Sequence, residues 1–312
     1  MPLAVPATLK SMSPAKSSAS AISLKTALAD YPWTKPLKSG AASVPGVTLQ
    51  FEDVKPVNRA FAPMAREQKF DVSEMAIVTY LLARVYNKPI VLLPCVMMGR
   101  FQHNTMVYSK ERGKITPKDM LSKRLAVRSW TQTTGVWIRG IFQNDYGIDL
   151  NKASWTVQEG AHLTEYKDPP ELKRISMEHD LMKMLLAGEV DAVIYGADLP
   201  DDPRLATVIE HPKEDAMKWY AKYKCVPINH MVCVTEKLAK ENPAAVKAVY
   251  DTLKKLKDAN PAKPGDPDTA PFGFDAVRPG VELAAQYAYE QRIIPRKFSF
   301  DEIFEGARKI LG

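Results

Sequence analysis

Residues 115–140 read ITPKDMLSKRLAVRSWTQTTGVWIRG and contain one complete strand-to-helix connection. The pattern predicts a short helix at 117–123, a strand at 124–129 and a longer helix at 133–147 that ends at a glycine. The turn between this strand and the longer helix is polar. A helix N-terminus that follows a strand is a natural site for an anion, because its backbone N–H groups point outward. The segment therefore predicts an α/β unit with a binding site at its turn.

The same order of elements continues on both sides of this unit. Further strands are predicted at 21–28, 47–54, 90–97, 104–109, 153–158, 189–195 and 227–235. Further helices are predicted at 57–67, 75–86, 177–187, 214–224, 243–258, 281–291 and 300–310. Strands that alternate with helices indicate βαβ units and mainly parallel sheets.

Composition narrows the class of protein. The chain has 312 residues, of which 46% are hydrophobic and 25% charged, and this length favours two domains. The longest apolar run, 90–98, is interrupted by Pro94 and is too short to span a bilayer, so no membrane association is expected. The net charge is +7, but the lysines are spread along the chain and repeatedly have acidic neighbours, as in KLAKEN. This mixture argues against nucleic acid and favours a surface potential that attracts small anions.

The N-terminal segment and the cysteines predict a compartment. Residues 1–20 have no continuous apolar core, so we expect a disordered leader and no secretory signal. Cys95, Cys225 and Cys233 are odd in number and form no CxxC pair, which suits a reducing environment. Both features predict a cytoplasmic protein.

Several phrases share the pattern of a known family. They are NRAF at 58–61, FDVSEMAIVTYL at 70–81, GRFQHNTMVYS at 99–109, LLAGEVDAVIYG at 185–196 and YAYEQRIIPRKFSFDEIF at 287–304, together with 115–140. Over about residues 21–312, this series resembles the 4,5-dihydroxyphthalate decarboxylase family. Two departures are Ala29, where the family usually has Gly, and Gln102, where relatives often have Arg. The second change removes one cation from the expected site.

The resemblance implies an α/β protein with a two-lobed type II periplasmic-binding-protein-like fold and a ligand cleft between the lobes. Lobe 1 is expected to contain 21–112 and 226–312, and lobe 2 is expected to contain 113–225. The ligand would lie at loops that leave the strand ends.

The first candidate cluster is Arg100, Gln102, His103 and Asn104, four polar residues within five positions at the start of the strand at 104–109. We predict that His103 transfers a proton, that Arg100 binds a carboxylate and that Asn104 contacts the substrate. The alternative for His103 is a partly exposed turn residue without a chemical role.

The second cluster is the turn before the helix at 133–147. Arg128 could hold a carboxylate through two hydrogen bonds, Trp130 would form a wall of the pocket, and Gln132 and Thr133 would bind the ligand. The alternative for Thr133 is capping of the helix. Arg139, further along the helix, is predicted to form a surface or interlobe ion pair.

Two further groups complete the candidates. In the fold that the resemblance implies, Ser73 would donate to the ligand and Glu74 would accept from a phenolic hydroxyl, the alternative being that Ser73 caps a helix. Glu159, His162 and Glu165 form a polar cluster for which a structural or substrate-contact role is favoured over a metal site. No metal ligand is therefore predicted.

The leading function is decarboxylation of a hydroxylated aromatic acid of the phthalate type, with 4,5-dihydroxyphthalate converted to protocatechuate and no organic cofactor. The expected partner is a small anionic aromatic substrate, and a homo-oligomer through the C-terminal helices is left open. The first alternative is a non-catalytic solute-binding protein for a small aromatic or other organic anion. The second is an enzyme of cofactor biosynthesis that acts on a cyclic carboxylate.

Overall fold

The computed structural model describes residues 21–196 and 199–312 of the chain, so the expected leader at 1–20 lies outside the described residues. The strands, numbered along the chain, are β1 (Ile22–Ala27), β2 (Val47–Phe51), β3 (Val72–Ala76), β4 (Ile90–Gly99), β5 (Met106–Ser109), β6 (Arg124–Ser129), β7 (Ser154–Glu159), β8 (Lys173–Arg174), β9 (Ala192–Ile194), β10 (Leu205–Thr207) and β11 (Ile228–Thr235). They form two mixed sheets, in the order β2-β1-β3-β11-β4 and β10-β5-β9-β6-β7-β8.

The helices surround these sheets. They are α1 (Lys35–Lys38), α2 (Phe61–Glu67), α3 (Ile77–Val85), α4 (Thr133–Asp145), α5 (Leu181–Ala187), α6 (Pro212–Tyr223), α7 (Glu236–Glu241), α8 (Pro243–Asp258), α9 (Phe274–Glu290) and α10 (Phe300–Leu311). No helix among the described residues is long and apolar enough to cross a membrane.

The first sheet has a parallel arrangement interrupted by one strand. β1 pairs in parallel with β2 and β3, whereas β11 runs antiparallel to both β3 and β4. The carboxyl ends of β1 to β4 therefore share one edge of the sheet with the beginning of β11. β4 is buried along nearly its whole length, which agrees with its continuous apolar sequence.

The second sheet brings its parallel strands to a corresponding edge. β6 pairs in parallel with β7 and β9, and β5 runs antiparallel to β9 and β10. β5 was expected in lobe 1, but its hydrogen bonds place it in the second sheet, so the chain leaves the first sheet after Gly99. The lobe boundaries at 112/113 and 225/226 stay a prediction.

Two helix boundaries differ from the sequence prediction for local reasons. The helix expected at 281–291 is α9, which begins at Phe274 and contains Pro279 within it, a residue that usually ends a helix. The helix expected at 177–187 is α5, which begins only at Leu181, because the Asp180 side chain accepts from two N–H groups of its first turn.

The larger of two apolar clusters contains residues of both sheets and of α4 and α9, and the smaller one lies between the second sheet and α5. Gly140 of α4 lies directly against the ring of Tyr287 of α9, where a side chain would collide with it. The indole N–H of Trp137 donates to the carbonyl of Ile228 at 2.7 Å, which ties α4 to β11 of the first sheet. This packing fixes the beginning of α4 opposite the first sheet.

Candidate functional site

A cavity of about 370 Å³ lies between the carboxyl edges of the two sheets, and we call it the cleft. This volume is at the small end of the range for small-molecule sites, and the position is the usual one for open α/β sheets. The residues that line it are Pro56, Val57, Asn58, Phe61, Ala76, Thr79, Met98, Arg100, Arg128, Ser129, Thr131, Gln132, Thr133, Thr134, His162, Gly196, Asn229 and His230.

One wall of the cleft is the beginning of α4. Gln132 is the N-cap residue, and its own side chain makes no capping hydrogen bond. The Thr133 hydroxyl is buried and has no hydrogen-bond partner among the described residues. Backbone N–H groups and a hydroxyl that face a cavity from the positive end of a helix dipole favour an anion.

Two arginines add positive charge to this wall. Arg100 follows β4 and donates from Nη2 to the Thr134 hydroxyl at 3.1 Å. Arg128 is near the end of β6, and its Nε lies 3.5 Å from Oε2 of Glu159. Both guanidinium groups line the cleft, where they can bind carboxylates through charge-assisted hydrogen bonds.

The opposite wall carries a histidine paired with a buried carboxylate. His230 is in β11, and its Nδ1 lies 3.1 Å from Oε2 of Glu74 in the adjacent strand β3. Glu74 is 0% exposed and also accepts from the Tyr31 hydroxyl at 3.0 Å. The contact with this carboxylate holds the orientation of the His230 ring at the cleft.

A second histidine, His162, lies in the same cleft after β7. Its Nδ1 is 2.8 Å from the hydroxyl of Thr79. Burial lowers the pKa of His162 to about 4, with a smaller contribution from the positive charge of Arg128. The imidazole is therefore neutral near pH 7 and can accept a hydrogen bond.

Apolar side chains separate these polar groups. The Phe61 ring is packed edge-on against His230 at 4.8 Å and against His162 at 5.9 Å between ring centroids. Val57, Ala76 and Met98 also line the cleft, on the side of the first sheet. The combination of an apolar surface, cations and two imidazoles suits an aromatic ring that carries anionic groups.

The structure brings together part of the predicted site. Arg100, Arg128, Gln132 and Thr133 all line the cleft. Asn104 is exposed in a turn and is not among the lining residues. Arg128, Gln132 and Thr133 of the segment before α4 are thus assembled with Arg100, whereas Asn104 is not part of the cleft.

Three predicted site residues lie behind the walls. Ser73 is buried in β3, where its hydroxyl donates to the carbonyl of Glu74, so it neither lines the cleft nor caps a helix. Glu74 reaches the cleft only through His230. Trp130 is buried with the guanidinium of Arg139 at 3.8 Å from its ring, and it is not among the residues that line the cleft.

Arg139 differs from its prediction. It is buried rather than exposed, and its described hydrogen bonds go to Gln291 Oε1 at 2.8 Å and to the Trp130 carbonyl at 2.6 Å. Neither partner is a carboxylate, so the predicted ion pair is wrong. Gln291 follows α9, and the contact therefore joins α4 to the C-terminal helices.

His103 is separated from the cleft residues. It lines a different cavity of about 250 Å³, which we call the rear cavity, together with Asp145, Tyr146, Asp215, Lys218, Trp219 and Lys222. His103 is 2% exposed, and burial lowers its pKa to about 4. His103 is not among the residues that line the cleft.

The cluster at 159–165 is divided in the same way. His162 lines the cleft, whereas Glu165 pairs with Lys88 at 2.5 Å and Glu159 approaches Arg128. Within residues 21–196 and 199–312, no group of three or more His, Cys, Asp or Glu side chains is arranged to hold a metal ion.

Sequence reasoning missed His230 and Asn229. The strand PINHMVCVT at 227–235 is apolar except for this pair and its last residue, and the pair stands at the beginning of the strand. Asn229 accepts from Gln102 Nε2 at 2.9 Å, so the residue that replaces the family's usual Arg supports the cleft from behind. Two adjacent polar residues in a buried strand were the available signal.

Comparison with known proteins agrees with this architecture. The chain is 26% identical over 294 residues to a 4,5-dihydroxyphthalate decarboxylase of Comamonas testosteroni, with 86% of each chain covered. It is 24% identical over 218 residues to the protein of the same name from Pseudomonas putida, which covers 64% of this chain and 81% of that one. No model of a protein family matches the chain.

Among solved structures, the periplasmic aliphatic sulphonate binding protein SsuA of Escherichia coli matches with a TM-score of 0.58 and 11% sequence identity, covering 91% of this chain and 98% of that one. At this identity the match shows the fold alone. The two-lobed type II periplasmic-binding-protein-like fold is confirmed, and the chain is similar in sequence to the 4,5-dihydroxyphthalate decarboxylases, as its phrases predicted.

Proposed function

We propose that this protein decarboxylates a hydroxylated aromatic dicarboxylate, with 4,5-dihydroxyphthalate as the leading substrate and protocatechuate as the product. The observation that carries the proposal is the cleft, which combines two arginines and the beginning of α4 with two imidazoles and an apolar wall. Sequence similarity to proteins named 4,5-dihydroxyphthalate decarboxylase supports the same reaction.

The reaction needs a place for the electron pair of the C–C bond that breaks. A hydroxyl para to the carboxylate provides it: a base takes the phenolic proton, and the ring carbon that bears the carboxylate accepts a proton from an acid. The resulting dienone loses CO₂, the electron pair returns to the ring and oxygen, and the phenolate regains its proton. One proton is consumed for each CO₂ released, and no oxidant or reductant is required.

The substrate carboxylates would lie on the cationic wall. Arg100 and Arg128 bind them, and the N–H groups and hydroxyl at the beginning of α4 add hydrogen bonds. This arrangement also holds the carboxylate in place until the C–C bond breaks. The ring lies against Phe61 and its apolar neighbours.

The two histidines divide the proton transfers. His162 is neutral near pH 7, since burial lowers its pKa to about 4, and it accepts the phenolic hydrogen bond. His230 delivers the proton to the ring carbon, because it lines the cleft and the buried Glu74 carboxylate behind it holds the orientation of its ring. This assignment moves the proton transfer that the sequence placed on His103 to two residues of the cleft.

The second candidate is a solute-binding protein, which the similarity in fold to the sulphonate binding protein favours. The same cationic wall would then bind an organic anion without any reaction. Fold alone does not decide between the two.

Chromatography tests the proposal directly. The purified, metal-stripped protein is incubated with 4,5-dihydroxyphthalate, and CO₂ and protocatechuate are measured over many turnovers. We expect equal amounts of both products, well above the amount of enzyme. A rise in melting temperature with the ligand and no product would support the solute-binding protein, and turnover only with added divalent cations would contradict the metal-free mechanism.

A further inference from the structure

Behind the cleft wall, the carboxylate of Glu74 is surrounded by three polar groups. The backbone nitrogen of Ala29 lies 2.6 Å from Oε1, while the Tyr31 hydroxyl and His230 Nδ1 lie 3.0 Å and 3.1 Å from Oε2. Glu74 is 0% exposed, and a buried charge is costly unless it is paired and hydrogen-bonded. These three contacts replace hydrogen bonds that the carboxylate would make to water if it were exposed.

Each contact has a defined direction. The Ala29 N–H can only donate. Burial and the negative charge of Glu74 raise the pKa of Tyr31, so the phenol keeps its proton and donates it. The carboxylate of Glu74 accepts both of these bonds, and we take it as the acceptor of the third, so that Nδ1 of His230 carries the proton. Nε2 is then the ring nitrogen left for a molecule in the cleft.

Neighbouring elements hold this geometry. In the pairing of β3 with β11, Val232 lies opposite Glu74, so His230 is its diagonal neighbour on the same face of the sheet. Tyr31 follows β1 and is stacked on Trp33 with 5.2 Å between ring centroids. The edge-on contact with Phe61 fixes the other side of the His230 ring.

We infer that Glu74 and Tyr31 are positioning residues that act through His230: Tyr31 orients the carboxylate, and the carboxylate sets the ring orientation and tautomer of the histidine. The inference rests on the proposed role of His230 in decarboxylation. Neither residue touches the substrate, so each should affect kcat and leave KM nearly unchanged. The same logic of a carboxylate behind a histidine operates in serine hydrolases.

Steady-state kinetics of single and double variants test this coupling. We expect Glu74→Gln to lower kcat roughly 100-fold, Glu74→Asp to recover part of that loss, and Tyr31→Phe to lower kcat by up to about tenfold. In a His230→Asn background, Glu74→Gln should cost no more than about two- to threefold, because the group through which it acts is gone. A full additional loss in that background would overturn the inference.

Nitrogen NMR of the imidazoles tests the geometry without substrate. With the His230 signals assigned by their absence in His230→Asn, we expect the neutral ring to carry its proton on Nδ1 in the wild type. A proton on Nε2 would overturn the positioning role of Glu74 and Tyr31 even if turnover is found. The expected tautomer without turnover would retain that role and refute the proposed reaction.

Tyr80→Phe is the matched control for Tyr31→Phe. The Tyr80 hydroxyl is also buried, but it donates to the carbonyl of Ile303 and has no contact with Glu74 among its described bonds. We expect this variant to keep wild-type kcat and the wild-type tautomer. Because Tyr31→Phe removes only one hydroxyl, it also keeps the inference testable if Glu74→Gln does not fold.

Discussion

The cleft and the rear cavity both contain a histidine near carboxylates, yet their surroundings differ. In the rear cavity, Asp145 pairs with Lys222 at 2.6 Å and Asp215 with Lys218 at 3.0 Å, so these charges are already balanced, and His103 Nδ1 has no described hydrogen-bond partner. In the cleft, the carboxylate of Glu74 is directed at His230 itself. The partner behind a histidine and the cavity in front of it therefore indicate its chemistry better than polar neighbours in sequence do.

The largest expected difference between the two cavities is in turnover. His230→Asn should lower kcat by roughly 10² to 10⁴, the usual contribution of a general acid or base. His103→Asn should remain within a few-fold of the wild type, because the residue lies outside the cleft. The two variants are compared in one assay of CO₂ release, with melting temperatures to exclude unfolding. Equal losses would remove the distinction between the cavities.

The histidine of the rear cavity, His103, should instead affect how the free energy of unfolding depends on pH. Burial lowers the pKa of His103 from 6.5 to about 4, so the unfolded state binds a proton that the folded state does not. The free energy of unfolding is therefore unaffected by His103 above pH 6.5, and it decreases as the pH falls from 6.5 toward 4, because protons bind the unfolded chain. Between pH 7 and pH 5, His103 accounts for a decrease of about 2 kcal/mol in the free energy of unfolding.

Urea unfolding at pH 7 and pH 5 measures this loss. His103→Gln should lose less stability between the two values than the wild type, whereas His211→Gln, at an exposed position, should show the wild-type difference. An unchanged difference in His103→Gln would show that the rear-cavity histidine is accessible to protons.

A smaller effect is expected from the cationic wall of the cleft. Arg128→Gln should raise KM roughly 10- to 100-fold, the cost of losing one charge-assisted hydrogen bond to a carboxylate. Arg204→Gln is the control, because Arg204 is exposed and pairs with Asp202. If both variants left KM unchanged, the carboxylates would not bind at the end of β6.

The smallest effect concerns a residue behind the wall. Ser73→Ala removes the hydrogen bond at 2.8 Å to the carbonyl of Glu74, so unfolding free energy should fall by about 1 kcal/mol. KM and kcat should stay within about twofold of the wild type, as measured in the same assay. A clear rise in KM would instead support the direct contact between Ser73 and the ligand that the sequence predicted.

Local sequence was sufficient for much of the fold. The strand at 124–129 and the helix from 133 were predicted from a single stretch, and the structure has them as β6 and α4. The sheet to which β5 belongs could not be predicted in this way, because a strand of four residues does not encode its distant partners. The start of α9 was missed because a proline usually ends a helix, whereas α9 continues through Pro279 and packs in the core on both sides of it.

The site shows the same limit. Arg128, Gln132 and Thr133 were found because one continuous segment carries them to the cleft. His230 was missed because its pairing with Glu74 depends on the register of β3 with β11, two strands that lie 156 residues apart at this contact. A pattern confined to one window cannot report such a pair.

Turnover of two related ring acids shows whether the reaction depends on a para hydroxyl. The wild-type protein is given 4,5-dihydroxyphthalate or phthalate, which has the same carboxylates but no hydroxyl, and CO₂ release and binding are measured for each. We predict that both bind and that only the hydroxylated acid loses CO₂, since only its para oxygen can take up the electron pair. Binding of both acids without CO₂ release would contradict the proposed decarboxylation, and equal decarboxylation of both would contradict the role of the para hydroxyl.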